Sequence, residues 1–165
     1  MTKSEFRVRD AVPGDGATLL SLIRALAHYE RAPDAVEVSA ETLDAQLAAR
    51  VPPFECLLAD APGEGVLGFA LTFRTYSTWK GRSGTWLEDF FVVPEARGRG
   101  LGQALLRAVA RRACGRGDGR LELTALDWNT PATDLYRRRG FQPLGDWTTW
   151  RISGDALEAL AGGEA

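Results

Sequence analysis

Three alternating glycines, Gly98, Gly100 and Gly102, form the segment whose spacing indicates chemistry most directly. They follow an apolar run that ends at Pro94, and an amphipathic helical pattern starts immediately after them. Glycine permits positive φ angles and lets the backbone come close to a ligand. The first N–H groups of a helix and the positive end of its dipole would converge on the same point. The segment therefore predicts a binding site for a phosphate group.

The residues around the glycines narrow the choice of phosphate-binding motif. No Gly-Lys-Ser/Thr follows, which excludes a Walker A loop, and Gly-x-Gly-x-x-Gly fails because Gln103 and Leu105 occupy the third glycine position. The remaining pattern, Arg97-x-x-Gly100-x-Gly102, resembles the Arg/Gln-x-x-Gly-x-Gly/Ala element of the GNAT superfamily of acetyl-CoA-dependent N-acetyltransferases. In that family the loop holds the pyrophosphate of coenzyme A. The alternative is a glycine-rich turn that merely ends a buried strand.

Further segments resemble one branch of that superfamily, the diamine (spermidine/spermine) acetyltransferases and their relatives that act on thialysine. These segments are residues 26–30, 79–81, 87–92, 127–131 and 135–140. The resemblance implies the GNAT fold, acetyl-CoA as co-substrate and a homodimer. It also implies that the acetyl group goes to a primary amine of a small polyamine or diamino acid. Direct transfer within a ternary complex would suffice without a covalent nucleophile, because aligning two substrates can supply about 7–11 kcal/mol.

The resemblance implies a role for each catalytic candidate. Tyr136, in the helix after Asn129, matches the general acid that protonates the departing thiolate; the alternative is an aromatic residue on a core-facing stripe. Glu88 is predicted to contact the cationic amine and to accept its proton, directly or through water, unless it is a solvated edge residue. Asp89 could serve instead, because a regular strand places Glu88 with Phe90 on one face and Asp89 with Phe91 on the other.

The remaining site residues are predicted in two groups. The resemblance implies that coenzyme A contacts backbone groups of the apolar strand together with residues of the glycine loop and the later helix: Phe90, Phe91, Val92, Arg97, Gly98, Arg99, Gly100, Leu101, Gly102, Gln103, Asn129 and Tyr136. The amine should contact Tyr29, Glu30, Trp79, Glu88, Asp89 and, on weaker alignment, Glu122 and Thr124. One position departs from the polyamine enzymes: Thr148 aligns with an acidic residue of their amine site, and the alternative is that the nearby Asp146 takes the place of that acid. This favours a shorter amine or an amino acid such as thialysine or lysine.

The elements that must position these residues follow from hydrophobic periodicity and turn signals. Strands are predicted over residues 6–9, 54–59, 66–76, 85–93 and 121–126, with a loop at 79–84. Helices are predicted after residue 16, from Ser39 to Pro52, and over residues 101–114, 131–139 and 155–160. Residues 141–144 and 148–152 are predicted to form a final hairpin. This order predicts an α/β (mixed α+β) fold, with a single central mixed sheet and helices on both faces.

Composition limits the number of domains and the classes of partner that the chain can have. A chain of 165 residues favours one domain over residues 1–165, with a core over about 6–160. A net charge of −2 argues against a nucleic-acid partner. The absence of a long apolar run or a leader pattern predicts a cytoplasmic protein without a membrane partner. One histidine and two distant cysteines predict no metal site. Two alternatives stay open: a GNAT-fold sensor of acetyl-CoA, and an acetyltransferase for an aminoglycoside or peptide amine.

Overall fold

The computed structural model describes residues 6–162, which fall into two compact units divided between Thr124 and Ala125. The first unit contains one five-stranded sheet and three α-helices among its described residues. They follow in the order β1 (Arg7–Asp10), α1 (Gly16–Tyr29), α2 (Ala40–Leu47), β2 (Glu55–Ala61), β3 (Gly65–Ser77), β4 (Arg82–Val92), α3 (Leu101–Gly115) and β5 (Leu121–Leu123). The second unit contains α4 (Thr130–Arg138) and α5 (Asp155–Gly162).

The sheet keeps the strands in their sequence order, β1-β2-β3-β4-β5. The first four strands pair antiparallel, since short turns or an αα connection return the chain to the neighbouring position. β5 pairs parallel to β4, because α3 carries the chain back across the sheet between them. The predicted mixed sheet is thus confirmed, and the glycine loop connects the carboxyl end of β4 to α3.

Alternation along the strands divides the core between two layers. Cys56, Leu58, Phe69, Leu71 and Phe91 form one cluster with apolar residues of α1 and α2. The intervening residues of the same strands point to the other face. There α3, whose buried stripe includes Leu105 and Val109, packs against β1 through β4. Helices therefore cover both faces of the sheet, as the sequence predicts.

Local signals explain where the helices begin. The Ser39 hydroxyl accepts a hydrogen bond of 3.1 Å from the Thr42 N–H, so it caps α2 as the sequence predicts. In the second unit, Pro131 lies in the first turn of α4, where its missing N–H costs nothing. Gly140 ends this helix with a positive φ of 87°.

Among residues 6–162, no helix is both long enough and apolar enough to cross a membrane.

The predicted final hairpin is wrong. Residues 141–144 and 148–152 form no strand; instead the Trp147 N–H donates to the Leu144 carbonyl at 3.3 Å in a turn. Alternating apolar residues are present, but a strand also needs a partner for its backbone groups, and an isolated hairpin is at best marginally stable in water. Pro143 removes one donor as well. Elsewhere β5 ends at Leu123 instead of residue 126, and β4 begins at Arg82, within the predicted 79–84 loop.

Candidate active site

The glycine loop has the backbone that a phosphate site requires. Gly98 and Gly100 have φ angles of 78° and 92°, which L side chains rarely adopt. Gly100 is also the N-cap of α3 and has no side chain with which to occupy the first-turn N–H groups. A Cβ on Gly102 would stand 3.3 Å from the Phe90 ring, so this glycine lets the first turn of α3 lie close to β4. These features fit the pyrophosphate of coenzyme A.

The two arginines of the loop make different contacts. Arg97 donates to the Val92 carbonyl at 3.0 Å, and its guanidinium lies 4.6 Å from the centre of the Tyr29 ring. It therefore links the loop to the end of α1 through a cation–π contact. Arg99 forms two hydrogen bonds, of 2.8 and 2.6 Å, with the Glu64 carboxylate in the β2–β3 turn.

A β-bulge positions the two adjacent carboxylates. Leu71 of β3 lies opposite Asp89, and the next residue, Thr72, lies opposite Leu87, so Glu88 is the extra residue of β4. A bulge of this kind reverses the alternation of side chains along the strand. Asp89 consequently lies in the same row as Leu71 and Cys56, on the face that α1 covers.

Burial makes Asp89 chemically distinct. Desolvation, followed by the negative charges of Glu88 and Glu30, raises the pKa of Asp89 from 3.8 to about 6. Such a carboxylate stays ionised near neutral pH and accepts a proton more readily than an ordinary aspartate does. Partial burial likewise raises the pKa of Glu30, which caps the end of α1.

The neighbouring thiol has the opposite character. Burial, with a smaller contribution from the Asp89 charge, raises the pKa of Cys56 to about 12. Because the thiolate is the nucleophilic form, Cys56 is an inert core residue at neutral pH. This arrangement suits direct acyl transfer better than a route through this cysteine.

The structure brings only part of the predicted amine site together. The Tyr29 ring packs against Phe91, with centroids 6.2 Å apart, and electrostatic coupling connects Glu30 to Asp89. Trp79 is 88% exposed in the β3–β4 turn. Six strand residues separate that turn from Glu88, which corresponds to about 20 Å. Trp79 thus lies away from the carboxylates.

The candidates on β5 lie at its pairing edge. Glu122 forms an ion pair of 2.6 Å with Arg120, so its charge already has a partner. Thr124 follows the end of the strand and is exposed. The parallel ladder itself ends where Leu123 lies opposite Leu87, immediately before Glu88.

Asn129 and Tyr136 belong to the second unit. Asn129 is the N-cap of α4, and its carbonyl accepts hydrogen bonds from Ala132 and Thr133. Tyr136 is 9% exposed, and its ring lies 5.6 Å from that of Phe141. Within α4, Tyr136 is the one buried residue, so neither the catalytic role nor the alternative of a core-facing stripe follows from its burial alone.

Sequence reasoning missed two aromatic residues near the carboxylates. The Trp86 indole N–H donates to a Glu88 carboxylate oxygen at 2.7 Å, and its ring stacks on Phe73 at 6.3 Å. Trp86 precedes Glu88 by two residues, so strand periodicity could have indicated a contact between them. The pairing with Phe73 depends on the register of β3, which the sequence does not reveal.

Over the described part of the chain, no three His, Cys, Asp or Glu side chains are grouped as a metal ion would require.

Comparison with known proteins gives a consistent picture. Residues 20–141 match the profile of the Acetyltransferase (GNAT) family, across the division between the two units. The thialysine N-epsilon-acetyltransferase of Bos taurus is 42% identical over 94% of this chain and 96% of its own length. The L-ornithine N5-acetyltransferase NATA1 of Arabidopsis thaliana is 36% identical over 73% of this chain and 53% of its own.

A solved structure agrees at the level of the fold. An integron cassette protein from the mobile metagenome of V. cholerae superposes with a TM-score of 0.77 over 94% of this chain and 97% of its own. The two sequences are 24% identical, so this likeness concerns the fold alone.

Proposed function

The chain belongs to the GNAT family of acetyl-CoA-dependent N-acetyltransferases, and from this premise we propose that its acceptor is a primary amine of a small diamino acid or polyamine. Diamino acids of the thialysine and ornithine type are the first choice within this class. Two observations support them. Two of the similar proteins are named as thialysine and L-ornithine acetyltransferases, and Thr148 stands where a longer polycation would need an acid.

Deprotonation of the amine is the main chemical demand. An alkylammonium with a pKa of about 10.4 is neutral in roughly one molecule in 2,500 at pH 7, a cost of about 4.6 kcal/mol. Asp89, with its pKa near 6, is the better placed proton acceptor of the two carboxylates. Glu88, exposed at the bulge, holds the cationic substrate before the proton leaves. The observation that carries this assignment is the bulge, since it turns Asp89 towards Glu30 and the end of α1.

The other proposed site residues bind the coenzyme and complete the acetyl transfer. The N–H groups of the first turn of α3 hold the pyrophosphate, and the pantetheine arm follows β4 beyond the point where β5 ends. Orienting both substrates for direct attack supplies about 7–11 kcal/mol. Tyr136 gives a proton to the departing thiolate. The active protein is a homodimer.

The test is thiol release from acetyl-CoA with thialysine, ornithine, lysine, spermidine, spermine, putrescine and an aminoglycoside. We expect turnover of the diamino acids, and a loss of at least about 100-fold in kcat with Tyr136→Phe. Preferred turnover of the aminoglycoside would replace the acceptor class. Tight binding of acetyl-CoA without turnover of any amine would contradict the proposal. Light scattering at working concentration tests the dimer.

A further inference from the structure

Two aromatic side chains form a partly exposed surface beside the carboxylates. Phe73 and Trp86 are direct cross-strand partners on β3 and β4, and their rings stack at 6.3 Å with an interplanar angle of 26°. Phe73 follows Leu71 by two residues, so it lies on the same face as the core under α1 and α2. Phe73 stays 36% exposed and Trp86 is half-buried. We call this pair the aromatic shelf.

The shelf is connected to Glu88 by a directed bond. The Trp86 indole N–H can only donate, and it donates to a Glu88 carboxylate oxygen at 2.7 Å. A short hydrogen bond to a charged acceptor restrains the orientation of that carboxylate. Because of the bulge, Trp86 and Asp89 occupy the same face although three positions separate them. The face thus presents, in order, the shelf, Glu88 and Asp89.

We infer that the aromatic shelf binds the hydrocarbon chain of the acceptor, with Trp86 as both a specificity-determining and a positioning residue. This inference rests on the proposed function. An amine held at Glu88 and Asp89 leaves its alkyl or thioether chain to lie over the Phe73 and Trp86 rings. Methylene groups gain free energy when they leave water, and the ring faces attract a neighbouring cation. Hydroxyl groups in that place would lose hydrogen bonds to water. The shelf therefore selects linear chains over polyhydroxylated ring amines.

The test measures kcat and KM for two series: α,ω-diamino acids with two to five side-chain methylenes, and α,ω-diamines with three to six methylenes. Complete burial of one methylene changes affinity about fourfold, so an open shelf should give about a twofold rise in kcat/KM per methylene. Phe73→Ala and Trp86→Ala should flatten this dependence. Tyr76→Ala is the matched control, because Tyr76 is an exposed aromatic residue of the same hairpin on the opposite face.

Trp86→Phe separates the two roles of the tryptophan. It keeps a ring on the shelf but removes the N–H that restrains Glu88. We expect the chain-length dependence to persist while kcat falls about threefold to tenfold, as for loss of one hydrogen bond. A uniform change in KM with unchanged kcat would contradict the positioning role.

The remaining outcomes distinguish failure of the aromatic shelf from failure of the proposed function. Wild-type turnover with the same chain-length dependence in folded Phe73→Ala and Trp86→Ala overturns the shelf and leaves the proposed function intact. No turnover of any amine by the wild type overturns both. Circular dichroism and urea midpoints establish folding, and Phe73→Ala alone keeps the test decisive should Trp86→Ala not fold.

Discussion

Replacing Asp89 by Asn should make the protein more stable and less active at neutral pH. Desolvation is the main reason that the pKa of this carboxyl rises from 3.8 to about 6. Its ionised form is therefore disfavoured in the folded state. The folded protein binds this proton more tightly than the unfolded chain does, so the free energy of unfolding falls as pH rises between about 4 and about 6. Above that window the cost of the buried charge is fully present.

The size of the effect follows from the same shift. A change of about 2 units corresponds to about 3 kcal/mol at 25 °C, an upper bound on what the neutral amide can recover. For a chain of this length that amounts to a Tm increase of at most about 6–12 °C. At pH 4 the folded protein holds Asp89 protonated, so the same variant should gain almost nothing. Asp34→Asn, at an exposed position of the same first unit, should change stability by less than about 0.5 kcal/mol at either pH.

Thermal unfolding of wild type and both variants at pH 4, 6 and 8 measures the stability difference. Steady-state rates over pH 5–8 measure the catalytic one. We expect the wild-type kcat/KM for the amine to lose activity below about pH 6, and Asp89→Asn to lose at least about 100-fold. A stability gain that is equal at pH 4 and pH 8 would refute the linkage argument. If Glu88→Gln removed the acid limb and Asp89→Asn retained it, the assignment of the proton acceptor would be refuted.

Two further predictions concern the coenzyme loop. Gly100→Ala should raise KM for acetyl-CoA at least about tenfold, because φ of 92° strains any L side chain; Gly102→Ala, whose Cβ would need only a few tenths of an ångström, should change KM about twofold or less, and an equal effect would contradict the strain argument. Glu64→Gln should tighten coenzyme A binding about twofold to fivefold in calorimetry and increase its salt dependence, since it releases Arg99 from a competing carboxylate. Glu95→Gln, an exposed change nearby, is the control, and an identical shift there would rule out this competition.

The features of this fold that depend on residues a few positions apart could be predicted from the sequence. The glycine spacing identified the turn into α3, and the positive φ angles of Gly98 and Gly100 confirm it. The Ser39 cap and the proline in the first turn of α4 were likewise readable, because each depends on residues a few positions apart. The same holds for the alternating strands, whose two buried faces correspond to the two helical layers.

Features that depend on distant partners were not readable. Residues 141–152 have the alternation of a hairpin, yet nothing in that alternation guarantees a neighbouring strand. Trp147 and Trp150 are 74% and 89% exposed, so these residues bury little apolar surface. The stack of Phe73 on Trp86 was missed for the same reason, because it exists only through the β3–β4 register.

The bulge at Glu88 lies in the pairing of β4 with β3, and the sequence of β4 alone does not reveal it. In a regular strand, Asp89 would share a face with Leu87, and the sequence could not decide which carboxylate faces α1. One extra residue reverses this alternation: Leu87 stays on the α3 side, while Asp89 enters the row of Leu71. The parallel ladder with β5 ends at the same position. A single register shift therefore buries the carboxylate whose pKa rises and leaves Glu88 within reach of the Trp86 indole. It also lies where the pairing with β5 ends, so that the β4 edge beyond it is left for the proposed coenzyme arm. Because the burial and the contact both depend on one backbone irregularity, substitutions that move the bulge should alter them together.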